Sequence, residues 1–243
     1  MTARGLAVAG AFAVLALAAC GPAAGDDKAF GDKVRAYLLA HPEVIEEASE
    51  KLQAQQDAQQ AAAQRKAEAE LPKVRAALER DPRDFVANPA GRITVTEFYD
   101  YRCPHCANAA PKVAELIEKN PDVRFVFKEM PIFGATSERA AYAAIAVKKS
   151  GGDYLGLYQA LMATHPLDRA TIDRIAVEKG ARAVDISPGP ANTAQLADTA
   201  ALFKTLALDG TPAFIVGNVI IGGEDMDAVD AAIDQARKSA TKG

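Results

Sequence analysis

The run ITVTEFYDYRCPHC, residues 93–106, decides the fold. Ile93 to Tyr101 is rich in β-branched and aromatic residues, the composition of a strand. Cys103 and Cys106 follow, two residues apart, and the chain from Pro111 to Asn120 reads as helix. Pro104 suits the first turn of that helix, because a proline there has no N–H to lose. Unpaired N–H groups and the macrodipole at a helix N-terminus favour an anion, so Cys103 is expected to be the reactive thiolate. His105 can add positive charge or a donor beside it. Cys106, one turn on, is expected to be more buried and to keep its proton. The pair is suited to disulfide exchange, with Cys103 attacking and leaving and Cys106 resolving the mixed disulfide.

Other uses of a CxxC pair weigh less. A bridge closing so short a loop stabilises little compared with one closing a long loop. Zinc needs two more ligands, and the chain holds only His41, His105 and His165. No metal site is therefore expected, and the chemistry calls for no cofactor. Two thiolates could still hold Cu(I), which would make the chain a metal-handling module rather than an enzyme. A chaperone role would survive loss of both cysteines.

Outward from the motif, the pattern alternates. Val123 to Ile132 (VRFVFKEMPI) reads as a second strand, and Glu138 to Lys179 as several Ala-rich helices broken at Gly151-Gly152 and His165-Pro166. Asn192 to Leu208 is helical. Ala213–Val216 and Val219–Ile221 are short strands joined by Gly217-Asn218, a good two-residue hairpin turn. Met226 to Lys238 closes the chain as a helix. The order β-α-β, a helical block, then β-β-α implies an α/β sheet with helices inserted in its middle.

The 243 residues carry 28 Lys and Arg against 32 Asp and Glu, a net charge of −4, so no overall basic character recommends a nucleic-acid partner. Hydrophobic residues at 49% and charged residues at 25% fit a globular protein rather than a disordered one. The third cysteine, Cys20, follows an apolar run from Leu6 to Ala19. As a helix that run reaches about 21 Å, short of the ~30 Å hydrocarbon core, so it reads as a secretory segment. Small residues before Cys20 resemble the lipobox of bacterial lipoproteins, in which the cysteine becomes a lipidated N-terminus. Residues 1–19 are thus a lipoprotein-type signal peptide and 20–28 a tether. The mature chain is expected in the periplasm or cell envelope, held on a membrane by lipid, where disulfides persist.

Between tether and sheet, residues 29–80 read as a helical stalk. Leu38, Ile45 and Leu52 recur every seven residues, with Val34 and Ala48 on the same seam, and polar residues cover the rest. Such a helix buries little against its own domain and suits assembly with copies of itself as a dimer or trimer. Leu71-Pro72 is expected to end the long helix, with a shorter one to Arg80. Asp81 to Gly91 reads as the boundary into the main domain.

Strand-Cys-Pro-His-Cys-helix, with Gly210-Thr211-Pro212-Ala213-Phe214 opening a later strand, resembles the thioredoxin superfamily. The helical block between the halves resembles the DsbA-like thiol–disulfide oxidoreductases. Val34 to Ala48 (VRAYLLAHPEVIEEA) is similar to the N-terminal segment of their oligomeric relatives associated with suppression of copper sensitivity. The resemblance implies a thioredoxin fold over residues 88–243, with a helical insertion at about 137–208 and the stalk in front. It implies that Pro212 is a cis-proline facing the disulfide, and that the Thr211 backbone binds an extended substrate by strand addition. It also matches Glu97 to a buried acid beneath the site. On strand alternation Glu97 shares a face with Val95, Tyr99 and Tyr101, a desolvated setting suited to taking the proton of Cys106. Tyr99 and Tyr101 themselves read as packing residues. Implied partners are cysteine-containing envelope or secreted proteins and a membrane redox protein that recycles the pair.

Overall fold

The computed structural model describes residues 24–240; residues 1–19, read as a signal peptide, and Cys20 lie outside them. The chain divides between Asp57 and Ala58 into two compact units. The first holds α1 (Ala24–Ala40) and the opening part of α2 (Glu43–Glu79), with His41-Pro42 at the break. Its apolar side chains stay largely in solvent: Tyr37, Leu39, Ile45 and Leu52 are each more than half exposed.

Contrary to the expected break at Leu71-Pro72, α2 runs through Pro72 to Glu79. A proline inside a helix removes one hydrogen bond and crowds the preceding turn. Here tertiary packing outweighs that cost. Leu71 and Leu78 are wholly buried, in a cluster with Phe98, Leu202, Phe203 and Ile215. The last carbonyls of α2, which lack partners within the helix, are taken by residues of the sheet. Lys128 Nζ donates to Ala77 O at 2.8 Å, Thr96 Oγ1 to Leu78 O at 3.5 Å, and Arg124 to Glu79 O. Two of these donors are cations, which suit the negative end of a helix. Residues 58–80 therefore belong with the second unit, and the stalk-like part of the chain stops earlier than residue 80.

The second unit is built on one five-stranded sheet in the order β1-β3-β2-β4-β5. β2 (Ile93–Tyr99) lies at its centre, parallel to β3 (Val123–Glu129) and antiparallel to β4 (Ala213–Val216). β5 (Val219–Gly222) pairs with β4 across Gly217-Asn218, where Gly217 takes φ 61°. β1 (Phe85–Ala87) pairs antiparallel with β3. This strand falls inside the stretch read as a boundary, since three residues flanked by prolines carry no periodic signal.

Alternation sends Val95, Tyr99, Phe125 and Phe127 to one face, where α3 (Pro104–Lys119) and α8 (Met226–Ala240) complete the larger core. Phe98 and Ile215 face the end of α2 and α7 (Pro190–Thr205) on the other side. Between β3 and β4 come α4 (Ala135–Ser150), α5 (Tyr154–Met162), α6 (Arg169–Glu178), a 3-10 turn and α7. α4 is buried on every side from Ala140 to Val147, which its run of alanines permits by keeping neighbouring helices close. Asp153 and Asp168 cap α5 and α6 by accepting from the Gly156 and Thr171 amides. A buried Lys128–Asp84 ion pair at 2.5 Å ties β3 to the turn before β1.

Candidate active site

β2 delivers the chain to the site, and Asp100 fixes the turn that follows. The Asp100 carboxylate, almost wholly buried, accepts from the amides of Arg102 at 2.7 Å, Ile132 at 2.7 Å and Phe133 at 3.1 Å. Its own carbonyl accepts from the Cys103 amide at 3.1 Å. One side chain thereby locks the motif to the β3–α4 loop. Nothing in the sequence marked Asp100 for this, because two of its three partners, Ile132 and Phe133, lie more than thirty positions away.

Cys103 is the N-cap of α3 and Pro104 occupies its first turn. Both cysteines are free thiols. The Cys103 thiol donates to the Thr211 carbonyl at 3.0 Å. The Thr211–Pro212 peptide bond is cis, and Gly223 N–H donates to Pro212 O at 2.8 Å. His105 is exposed and its Nδ1 lies 3.3 Å from Glu224 Oε1. The site thus gathers α3, the loop before β4 and the turn after β5 around one sulfur.

Cys106 is fully buried, and burial pushes its thiol far up, opposed by a hydrogen bond with the Asp100 backbone. Such a sulfur needs a nearby base to become a nucleophile. Glu97 is 2% exposed, and the Tyr158 hydroxyl donates to its two carboxylate oxygens at 3.0 and 3.3 Å. Burial pushes the Glu97 carboxyl up to about 8, with the Tyr158 hydrogen bond opposing. The Glu97 charge in turn acts on the Cys106 thiol. A carboxyl that titrates near neutrality is matched to accepting and returning a proton there.

Tyr99 and Tyr101 pack as expected, and they also carry a hydroxyl network that the sequence did not announce. Tyr99 OH lies 3.1 Å from Tyr101 OH and 2.8 Å from Tyr154 OH, and Tyr154 OH donates to Glu129 at 2.5 Å. The available signal was Glu129 continuing the apolar face of Phe125 and Phe127. Among the described residues no cluster of three or more His, Cys, Asp or Glu side chains could hold a metal ion, and no helix is long and apolar enough to cross a membrane.

A model of the DSBA-like thioredoxin domain matches residues 94–234. The chain belongs to this family, with its thioredoxin fold and inserted helices. At the other end, residues 26–59 match the copper resistance protein ScsC N-terminal domain. Among solved structures, a thioredoxin-like oxidoreductase from Silicibacter pomeroyi DSS-3 is 36% identical with a TM-score of 0.63, over 68% of this chain and 98% of that one. Proteus mirabilis ScsC in a transitional conformation is 27% identical with a TM-score of 0.64, over 88% of this chain and 96% of that one. A curated relative, Na(+)/H(+) antiporter NhaA 3 from Salinispora tropica, is 31% identical over 66% of this chain. The chain spans 26% of that relative's length.

Proposed function

We propose that this chain exchanges disulfides with cysteine-containing proteins of the cell envelope, through Cys103 and Cys106. The observation that carries the reading is the Cys103 sulfur at the head of α3, bonded to Thr211 O, with a fully buried partner thiol behind it. In the reducing direction the Cys103 thiolate attacks a substrate disulfide. The Cys103–substrate bond forms, and the other substrate sulfur leaves as a thiolate. Glu97 then takes the Cys106 proton, and the Cys106 sulfur attacks Cys103. The Cys103–Cys106 bond forms, the substrate sulfur leaves with the remaining electron pair, and two electrons have passed to the substrate. Oxidation of substrate dithiols is the same sequence reversed, and a membrane redox partner would restore the pair.

Backbone groups at Thr211 suit an extended substrate strand of any sequence. Pro104 starts the helix, and His105 stands at the exposed rim beside Glu224. Cys20 would carry the lipid that holds the protein on the periplasmic side of a membrane. One related Salmonella structure is described as a periplasmic thioredoxin-like protein, which agrees with that placement. Assembly into a dimer or trimer through the seam of Leu38, Ile45 and Leu52 is supported by the ScsC N-terminal match and by the exposure of Ile45 and Leu52.

The test is turnover of a scrambled disulfide protein at normal metal levels. Activity abolished by Cys103→Ser is expected. Stoichiometric Cu(I) binding without turnover would overturn the reading in favour of a metal-handling protein.

A further inference from the structure

Glu129 ends β3, and none of the steps above uses it. The register pairs Tyr99 with Glu129 and Glu97 with Phe127 on adjacent parallel strands. Both side chains therefore lie on one face of the sheet, one strand across and two residues along, with their Cα atoms on a diagonal of about 8 Å. Each is buried, Glu97 at 2% exposure and Glu129 at 3%. Tyrosines fill the space between them. Tyr154 OH donates to Glu129, Tyr99 OH meets both Tyr154 and Tyr101, and Tyr158 OH donates to Glu97. The Tyr99 ring stands edge-on to those of Tyr101 and Tyr158, at 5.1 and 5.2 Å. Tyr101 feels the charge of both carboxyls.

The groups facing Glu129 are few. From β2 and its turn come Tyr99 and Tyr101, from α5 Tyr154, from the turn before β1 Asp84, and on its own strand Lys128. Lys128 is held on the far side by Asp84 and the Ala77 carbonyl. None of these contacts places a cation inside the tyrosine cluster to offset a second negative charge. Two carboxylates sharing a desolvated volume oppose each other's ionisation and titrate as a pair. Burial pushes Glu129 up to about 7, close to the value of about 8 for Glu97, so both change charge over the same range. When Glu129 is ionised it can only accept, which orients the hydroxyls of Tyr154 and Tyr99 toward it in series.

We propose that Glu129 is a positioning residue for the resolving step, which anchors the tyrosine hydroxyls and, by its own charge, sets the pH at which Glu97 can take the Cys106 proton. The inference rests on the reading of Glu97 as that proton's acceptor. Removing the Glu129 charge should let Glu97 ionise at lower pH, so the resolving step should open at lower pH while the attack by Cys103 is unmoved.

Stopped-flow mixing of the reduced protein with an aromatic disulfide separates the two events. The first thiolate released reports attack by Cys103 and the second reports resolution by Cys106. In Glu129→Gln the pH midpoint of the second phase is expected to fall by about half to one unit, with the first phase unchanged. Glu129→Asp should move it back toward the native value. A midpoint that stays in place, or rises, overturns the proposal. Should Glu129→Gln fail to fold, Tyr154→Phe removes the donor that favours the Glu129 anion, and a smaller shift of the same sign is expected. Carbon-13 NMR of the native glutamate carboxyls gives a further arm: a two-step titration of Glu97 supports the coupling, and a single step overturns it. If Glu97→Gln keeps the native pH profile, the Glu97 reading itself falls and takes the proposal with it. If Glu97→Gln abolishes the profile and Glu129→Gln leaves it untouched, only the role of Glu129 falls.

Discussion

The Cys103 sulfur lies 3.0 Å from the Thr211 carbonyl oxygen, a contact between residues 108 positions apart in sequence. Both sulfurs are nearly enclosed, Cys103 at 2% exposure and Cys106 at 0%, and of the two it is Cys103, at the N-cap of α3, that lies against the backbone edge before β4. An incoming disulfide therefore meets Cys103 first. Cys106→Ser is expected to accumulate mixed disulfides with substrate proteins, visible as reducible adducts on a non-reducing gel. Cys103→Ser should give none and should lose turnover to the uncatalysed background. Adducts on Cys106 in the Cys103→Ser protein would reverse the assigned order.

The buried carboxyls make stability depend on pH. Glu97 is raised from its ordinary 4.5 to about 8 and Glu129 from 4.5 to about 7, both by burial. In the unfolded chain they lose protons near 4.5, while the folded protein keeps them to about 7 and 8. Over that window the native state binds more protons, so stability falls as pH rises, by about 1.4 kcal/mol per pH unit for each group. Asp84, raised by burial to about 6, adds to the fall at the acidic end. Urea unfolding of the reduced protein from pH 4.5 to 8 should show this slope. Glu97→Gln should flatten it and be the more stable protein at pH 8.

The end of α2 is a structural part of the oxidoreductase domain. Leu71→Ala and Leu78→Ala each empty space in the cluster around Phe98 and Ile215, and each should cost about 2–5 kcal/mol in chemical denaturation. Leu52→Ala, at a position more than half exposed, should leave the same transition in place. Equal losses at all three positions would mean that α2 stabilises the domain along its whole length.

Assembly should depend on the apolar residues before Asp57. Ile45→Glu with Leu52→Glu puts two charges on the exposed seam, which self-association would have to desolvate. Sedimentation is expected to show an oligomer for the native chain and a monomer for this variant. A native chain that sediments as a monomer rules out the stalk as an assembly device.

Where sequence and structure part company, the separation has a consistent cause. The strand, the Cys-Pro-His-Cys turn and the helix behind it were legible because each rests on neighbours within a few positions. The Gly217-Asn218 hairpin was legible for the same reason, and alternation alone put Glu97 on the face of Val95 and Tyr99. Pro72 misled because its local preference is to interrupt a helix, whereas Leu71, Leu78 and the donors Thr96, Arg124 and Lys128 hold the helix together from the sheet. β1 and the hold of Asp100 on Ile132 and Phe133 were invisible because their partners are remote.

Order along the chain was enough to determine that two cysteines would sit at a strand-to-helix junction, since backbone propensity and the demands of a helix N-terminus act over a single turn. Only the folded sheet decided which carboxyls lose their water, which tyrosines reach them, and that a loop more than a hundred residues away closes over the sulfur. Those are consequences of desolvation and of register between strands, and neither exists until distant segments have packed.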